Sequence, residues 1–466
     1  MLKLNHKKNS QGVVDGYIYF DGEKLEEKNK IKEIIQNNKL QLDSSSLQML
    51  LQCGVQYPGR TIYKDVFSYS PGVNFAIEES KLELDYSFPF PESKRDDKCI
   101  PPSNEDILEA LFNSLEQSRI EGKDTFLFHS AGKDSNSIAL AIAEAGFQKD
   151  VTLICQESKG KHDESQISKK IANKLGFNHI TLKESQGVMG ESILLDYFEK
   201  LPSPVIDNVG LAFPYYLQQI PDLANSNIID GGGNDIYMMT PPSGREVILN
   251  LLSCNMSSLF WLQEYLSSNS LMSKIVRSAP EQYGMSGLSF GDIKKITSNT
   301  TSCSYYWDQH YKENRYNRDK TEIKTEYLCA HVAASQHIAK MQNFCEAIDS
   351  NLVLPFTNDS VVSLFSSLSY DKLFEGNRNK TILRDMLKTK LGLDSDKVGK
   401  MPWTYNSQRI VKENKPFVIS QISKSNLWNK HVDSFVKSMY SKDSKYSISA
   451  VYRLFLLSIW HNNFKF

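Results

Sequence analysis

The residues of this chain best suited to chemistry stand together at Ser130-Ala131-Gly132-Lys133-Asp134-Ser135. They follow a short apolar run, Thr125 to Phe128, and precede a helical pattern in Ile138, Leu140, Ala141, Ile142 and Ala145. Strand, tight turn and helix in that order builds a phosphate site, because the turn's amide N–H groups and the positive end of the helix dipole face one anion. Small residues let the backbone approach closely, and Ser130, Ser135 and Ser137 offer hydroxyls. Lys133 brings a cation, and Asp134 stands where a carboxylate can hold a magnesium ion shared with phosphates. An ordinary βα turn has the same outline, so a second element has to decide. That element is Asp230-Gly231-Gly232-Gly233-Asn234-Asp235, behind a later expected strand, Asn227 to Ile229. Two carboxylates from different strand ends hold a metal on a pyrophosphate better than one does. This pairs Asp235 with Asp134 as the expected metal ligands.

The elements around these loops alternate. Ser103-Asn-Glu-Asp opens a helix with apolar residues Ile107, Leu108, Leu111 and Leu115 on one face. Val151 to Cys155 reads as a second strand, Asp163 to Leu175 as a helix ended by Gly176, and His179 to Leu182 as a third strand. The fold class that follows is α/β with a doubly wound parallel sheet, whose ligands bind at the carboxyl ends of the strands. Beyond about 245 the pattern is mainly helical, with apolar faces at 247–266, 326–345, 360–368, 380–391 and 448–464. The first hundred residues are mixed and predict a small α+β unit. A strand is expected at Tyr17–Phe20, a charged helix over 26–36, a helix at 47–51 ending before Gly54, and strand-like pieces at 60–67 and 70–77. Residues 89–102, with four prolines, form the linker candidate.

Composition narrows the function. The chain has 466 residues, 40% of them hydrophobic, 23% charged and 11% aromatic, with a formal net charge of −1. That balance leaves no electrostatic footprint for nucleic acid or an anionic membrane. The opening MLKLNHKKNSQG lacks the apolar core of a signal peptide, and the most apolar window, 448–460, contains Arg453 and reads as a buried helix. The seven cysteines never form C-x-x-C, which points to reduced thiols in a cytoplasm and away from a zinc site.

Several segments in order resemble one family. Ser130 to Ser135 is similar to the S-G-G-x-D-S loop of the N-type ATP pyrophosphatases (the PP-loop), and Asp230 to Asp235 resembles the S-G-E-G-A-D segment of the branch that holds asparagine synthetase, β-lactam synthetase and lasso-peptide cyclase. Asp163-Glu164 with 172–176 resembles that family's D-E helix, 203–207 its E-P-x-x-D, 354–356 its V-P-F, and 380–384 its K-x-x-L-R. Lys397-Val-Gly-Lys400 lies where the family has R-x-K. The resemblance covers roughly 103–466 and implies a HUP-like ATP pyrophosphatase, or synthetase, domain there. Residues 47–77, with 57–64 and 70–72 among them, resemble the end of the family's glutaminase domain. Position 2 is Leu rather than the nucleophilic cysteine, so 1–95 is expected to be a shortened, inactive glutaminase-like domain.

The resemblance implies ATP-dependent amide synthesis: a carboxylate attacks the α-phosphate of ATP, pyrophosphate leaves, and an amine displaces AMP from the acyl-adenylate. Ser130, Ala131, Gly132, Lys133, Asp134, Ser135, Gly231, Gly232 and Asp235 would bind nucleotide, with Mg2+ on Asp134 and Asp235. Lys400 matches the lysine that stabilises the transition state, with Lys397 as the alternative. The implied partners are a small-molecule or peptide carboxylate, an amine, and a homodimer mate or pathway protein. Asp230, Gly232, Ser203 and Asn358 depart from the family pattern, so the acceptor is expected to differ from aspartate. Two other readings stay open: a catalytically inactive nucleotide-binding partner subunit, and a PP-loop enzyme that modifies nucleotides.

Overall fold

The computed structural model describes residues 2–4, 16–157, 163–183, 190–204, 206–207, 209–255, 257–266, 271–283, 287–298, 301–314, 318–398 and 407–464. At its centre lies a five-stranded parallel sheet of β1 (Thr125–Phe128), β2 (Val151–Gln156), β3 (Asn178–Leu182), β4 (Asn227–Ile229) and β5 (Asn351–Val353). Its spatial order is β3-β2-β1-β4-β5. Thr125 pairs with Val151 on one side and with Asn227 on the other. The chain therefore winds outward from β1 in one direction and then restarts at β4 in the other. In sheets wound this way, ligands bind in the crevice at the carboxyl ends of the two strands beside that reversal. Residues 130–135 and 230–235 are the loops at those ends.

Alternation along the strands explains why the sheet is covered on both faces. Phe126, Ile154 and Ile228 enter one core with the carboxy-terminal helices, while their neighbours Leu127, Leu153 and Ile229 enter a second. Strands buried on both faces read as continuous apolar runs, which is how they appear in the sequence. The second core is filled by helices Asn104–Ser118, Lys133–Glu144, Glu164–Leu175 and Thr381–Leu391. Local chemistry sets their ends. Ser103 and Asp106 form a reciprocal capping box, Asp163 caps the Glu164 helix, and Gly176 closes it at φ 83°. Among the described residues the longest α-helix, Lys445–Asn463, is buried along most of its length. Among the described residues no helix is long and apolar enough to cross a membrane.

The amino-terminal region holds two small antiparallel sheets, one of them built on Tyr17–Phe20. Here one expectation needs correction. The charged stretch read as a helix from 26 splits: Leu25–Lys28 is a strand paired to Tyr17–Phe20, and the helix runs only over Ile31–Asn37. Helical propensity of Leu-Glu-Glu-Lys is overridden by an available strand edge. The helix expected at 47–51 is longer, Ser44–Cys53, and ends at Gly54 in the left-handed conformation as its sequence predicts. Ile31, Ile34, Leu47, Leu50 and Leu51 join the core of the carboxy-terminal helices. The expected 247–266 helix is interrupted: Gly244–Asn255 is α-helical and Ser257–Glu264 a 3₁₀ turn. The 326–345 pattern begins as π-helix, over Glu326–His331 and Ala333–His337, before Ile338–Ala347 becomes α-helical.

Candidate functional site

The 130–135 loop is held from within and from behind. Ser130 Oγ accepts from the Gly132 amide at 3.0 Å and lies 3.2 Å from Ser135 Oγ. Glu164 Oε2 accepts from the Ala131 amide at 3.3 Å. Behind the loop His129 is 3% exposed, with Nδ1 2.7 Å from Ser168 Oγ and Nε2 3.0 Å from Asn136 Oδ1. Asn136 in turn donates to the Ser130 and Gly132 carbonyls, at 3.0 and 2.7 Å. Two buried side chains that the sequence did not single out thus fix the turn's backbone. Ser137, expected to face phosphate, donates instead to the Lys133 carbonyl of its own helix at 2.8 Å. Lys133 is buried, 6% exposed.

Burial pushes the His129 pKa down to about 4 from its ordinary 6.5, against the Asn136 hydrogen bond. Between those values the unfolded chain takes up a proton that the folded one refuses. The associated stability is complete above about pH 6.5 and falls by about 3 kcal/mol as pH drops toward 4. Urea unfolding from pH 7 to 4.5 should record that decline and a clearly flatter one in His129→Asn. Parallel profiles for the two proteins would remove His129 as the cause.

The glycine loop is shaped by contact with the first loop. A Cβ on Gly231 would lie 3.2 Å from the Ser135 nitrogen and 3.3 Å from Asp134 Cβ, so the absence of a side chain is what lets the loops touch. Gly233 has φ 103°, and a Cβ there would reach 2.4 Å from Thr357 Cγ2, in the turn after Leu354-Pro-Phe356. Asp230 Oδ1 accepts from the Gly232 amide at 2.8 Å, which gives the aspartate a loop-closing part.

These contacts bring Asp134 and Asp235 together, and between them stands Lys380. Its side chain is 1% exposed, and Nζ lies 2.8 Å from Asp134 Oδ1, 2.8 Å from Asp235 Oδ1 and 2.6 Å from Asn234 Oδ1. Asn234 also donates to Asp134 Oδ1 at 2.7 Å. Burial alone would push the ammonium's pKa down, but the two carboxylates outweigh it and hold it above the ordinary lysine range. Lys380 adopts φ 55°, ψ 45°, the left-handed region that a non-glycine residue rarely occupies, at the start of the Thr381–Leu391 helix. Such strain concentrates at functional sites, where surrounding contacts over-determine the residue.

No protein-family model matches the chain, and no curated protein matches it. The site has to be read from its own geometry.

Of the residues selected from sequence, the structure joins Ser130, Ala131, Gly132, Asp134, Ser135, Gly231, Gly232 and Asp235 in one crevice. The Lys397 side chain is 85% exposed and pairs with Asp394 at 3.6 Å. Lys400 falls outside the described residues. Asn358 caps the Asp359–Ser366 helix by accepting from Ser360, and Arg384 pairs with Asp396 at 2.6 Å. Lys380 was visible in sequence only as the first residue of K-x-x-L-R, with no role attached. As to a metal, both carboxylates converge on one cation position, the donor set that magnesium uses with phosphate oxygens. Among the described residues no third His, Cys, Asp or Glu completes a cluster with them, so phosphate and water would supply the other ligands. The residues fit.

Proposed function

We propose that the crevice between 130–135 and 230–235 binds the pyrophosphate part of ATP, and that the protein is an AMP-forming carbon–nitrogen ligase. One observation carries the reading. A buried cation and two carboxylates from separate loops converge at the reversal of a parallel sheet, beside a helix amino terminus. The helix end and the Ser130 and Ser135 hydroxyls would hold the anion, while Lys380 would balance charge on the leaving pyrophosphate. Asp134 and Asp235 would hold magnesium, which when bound neutralises phosphate charge. In the reaction a substrate carboxylate oxygen bonds to the α-phosphorus and pyrophosphate departs. An amine then bonds to the acyl carbon, AMP leaves, and the amine loses its proton.

The ordered resemblance of 103–466 to the asparagine synthetase branch supports this chemistry, a doubly wound HUP-like domain there, and an inactive glutaminase-like region over 1–95. With the glutaminase-like region read as inactive, the amine would come from free ammonia, a second molecule or the substrate itself. A second reading, nucleotide binding without turnover, is favoured by Lys380 already standing at the cation position and by Glu164 on the Ala131 amide. Calorimetric titration with magnesium-ATP, followed by pyrophosphate release with a panel of carboxylates and hydroxylamine as surrogate amine, separates the two. Binding with pyrophosphate release and hydroxamate formation is the expected result. Binding alone throughout the panel would select the second reading, and no binding would sink both.

A further inference from the structure

A second cavity lies away from the nucleotide crevice, where the amino-terminal region meets the 326–347 helical stretch. Tyr57, Arg60 and Ser70 line one side, Ser203 another, and His331 and Asn343 the helix side. Its free volume is about 60 Å³, room for a handful of groups of water's size. Ile338, on the same helical stretch, packs toward Gly232, so this stretch separates the cavity from the glycine loop.

His331 is the unusual member. It is 3% exposed, and neither ring nitrogen has a hydrogen-bond partner among the described residues. Buried polar atoms in folded proteins are overwhelmingly satisfied, so two orphans on one ring call for an explanation. The ring is fixed in place. Trp307 stacks on it with centroids 5.3 Å apart, and Tyr327 and Tyr86 meet it edge-on, each at 5.3 Å. Glu326, one turn away, is already taken by Arg318 at 2.8 Å and His310 at 3.4 Å. Burial pushes the His331 pKa down to about 3, despite Glu326, which keeps the imidazole neutral with one donor and one acceptor. The backbone here is π-helical, an arrangement costly enough that it recurs at functional positions.

The charge of the cavity selects its occupant. Among the residues lining it none is acidic. Arg60 is the cation, its guanidinium 5.2 Å from the Phe67 ring centroid, and no carboxylate among the described residues pairs with it. We propose that this cavity binds a small carboxylate that also carries a hydroxyl or amide, with Arg60 taking the carboxylate and His331 the neutral polar group. The site is separate from the nucleotide crevice, and its test needs no ATP.

Ligand-observed NMR on the full chain, with malate, succinate and putrescine as probes, measures this directly. Malate should bind, succinate should bind several-fold more weakly, and putrescine should not bind. Exposed Arg60→Gln, which should leave the fold intact, is expected to weaken both acids at least tenfold. His331→Phe, close in size and shape, should remove the preference for malate over succinate while keeping residual acid binding. Failure of both acids to bind the wild-type protein, binding of putrescine instead, or an Arg60→Gln variant that binds the acids unchanged would overturn the proposal. ATP binding by the same samples is recorded separately, so that loss of one site is not mistaken for loss of the other.

Discussion

Lys380→Met should lower the stability of the protein by about 3 kcal/mol, the scale of removing one partner from a buried ion pair. The methylene stem would remain and Asp134 would keep the Asn234 amide, but it would lose the ammonium 2.8 Å from its Oδ1. The loss lies toward the smaller end of the usual range because the Asp235 side chain is 48% exposed and water can solvate it. Part of the loss should be recoverable. Two carboxylates aimed at one vacated position attract a divalent cation, so magnesium should raise the Tm of Lys380→Met more than that of the wild-type protein. Guanidinium unfolding with and without magnesium measures both effects. A variant as stable as wild type, and equally indifferent to magnesium, would mean that the Lys380 contacts contribute nothing to the fold.

Asp134→Asn acts on the same group of atoms with the opposite balance. The amide nearly preserves the shape of the carboxylate, and Lys380 keeps Asp235 at 2.8 Å, so the stability change should be modest, on the order of 1–2 kcal/mol for one charged hydrogen bond. Catalysis should suffer far more. With one of two negative ligands gone, pyrophosphate release should fall at least ~100-fold, the scale seen when a single preorganised electrostatic contact is removed from an active site. Raising magnesium should not restore the rate. A variant that releases pyrophosphate at the wild-type rate would refute the assignment of Asp134 to the reaction, whatever its effect on folding.

What could be read from the sequence was what depends on neighbours in the chain. The strand, loop and helix over 125–144, the helix start at Ser103 and the helix end at Gly176 follow from local chemistry, while the approach of the loops bearing Asp134 and Asp235 follows from the winding of a parallel sheet. Lys380 lies 246 residues from Asp134, and its K-x-x-L-R setting carries no sign that its ammonium reaches those loops. His129 and Asn136 were local but silent, because a buried histidine clamping two carbonyls through an asparagine leaves no periodic signature. The π-helical turns at 326–337 were equally hidden, since apolar spacing does not separate a five-residue closure from a four-residue one. Gly231 and Gly233 were seen as a glycine run; that one is required by the Ser135 backbone and the other by Thr357 emerges only in three dimensions.

The lysine between the two aspartates has one more consequence. Metal sites that gather bare carboxylates are held apart by their own repulsion until the ion arrives, and folding then waits on metal supply. This crevice carries a resident counterion instead. The chain can fold with one of the two negative charges already balanced, and an incoming divalent cation would enter by exchange, loosening a tethered ammonium from its two carboxylates. The freed positive charge would stay in the crevice, beside the loops proposed to hold the phosphates.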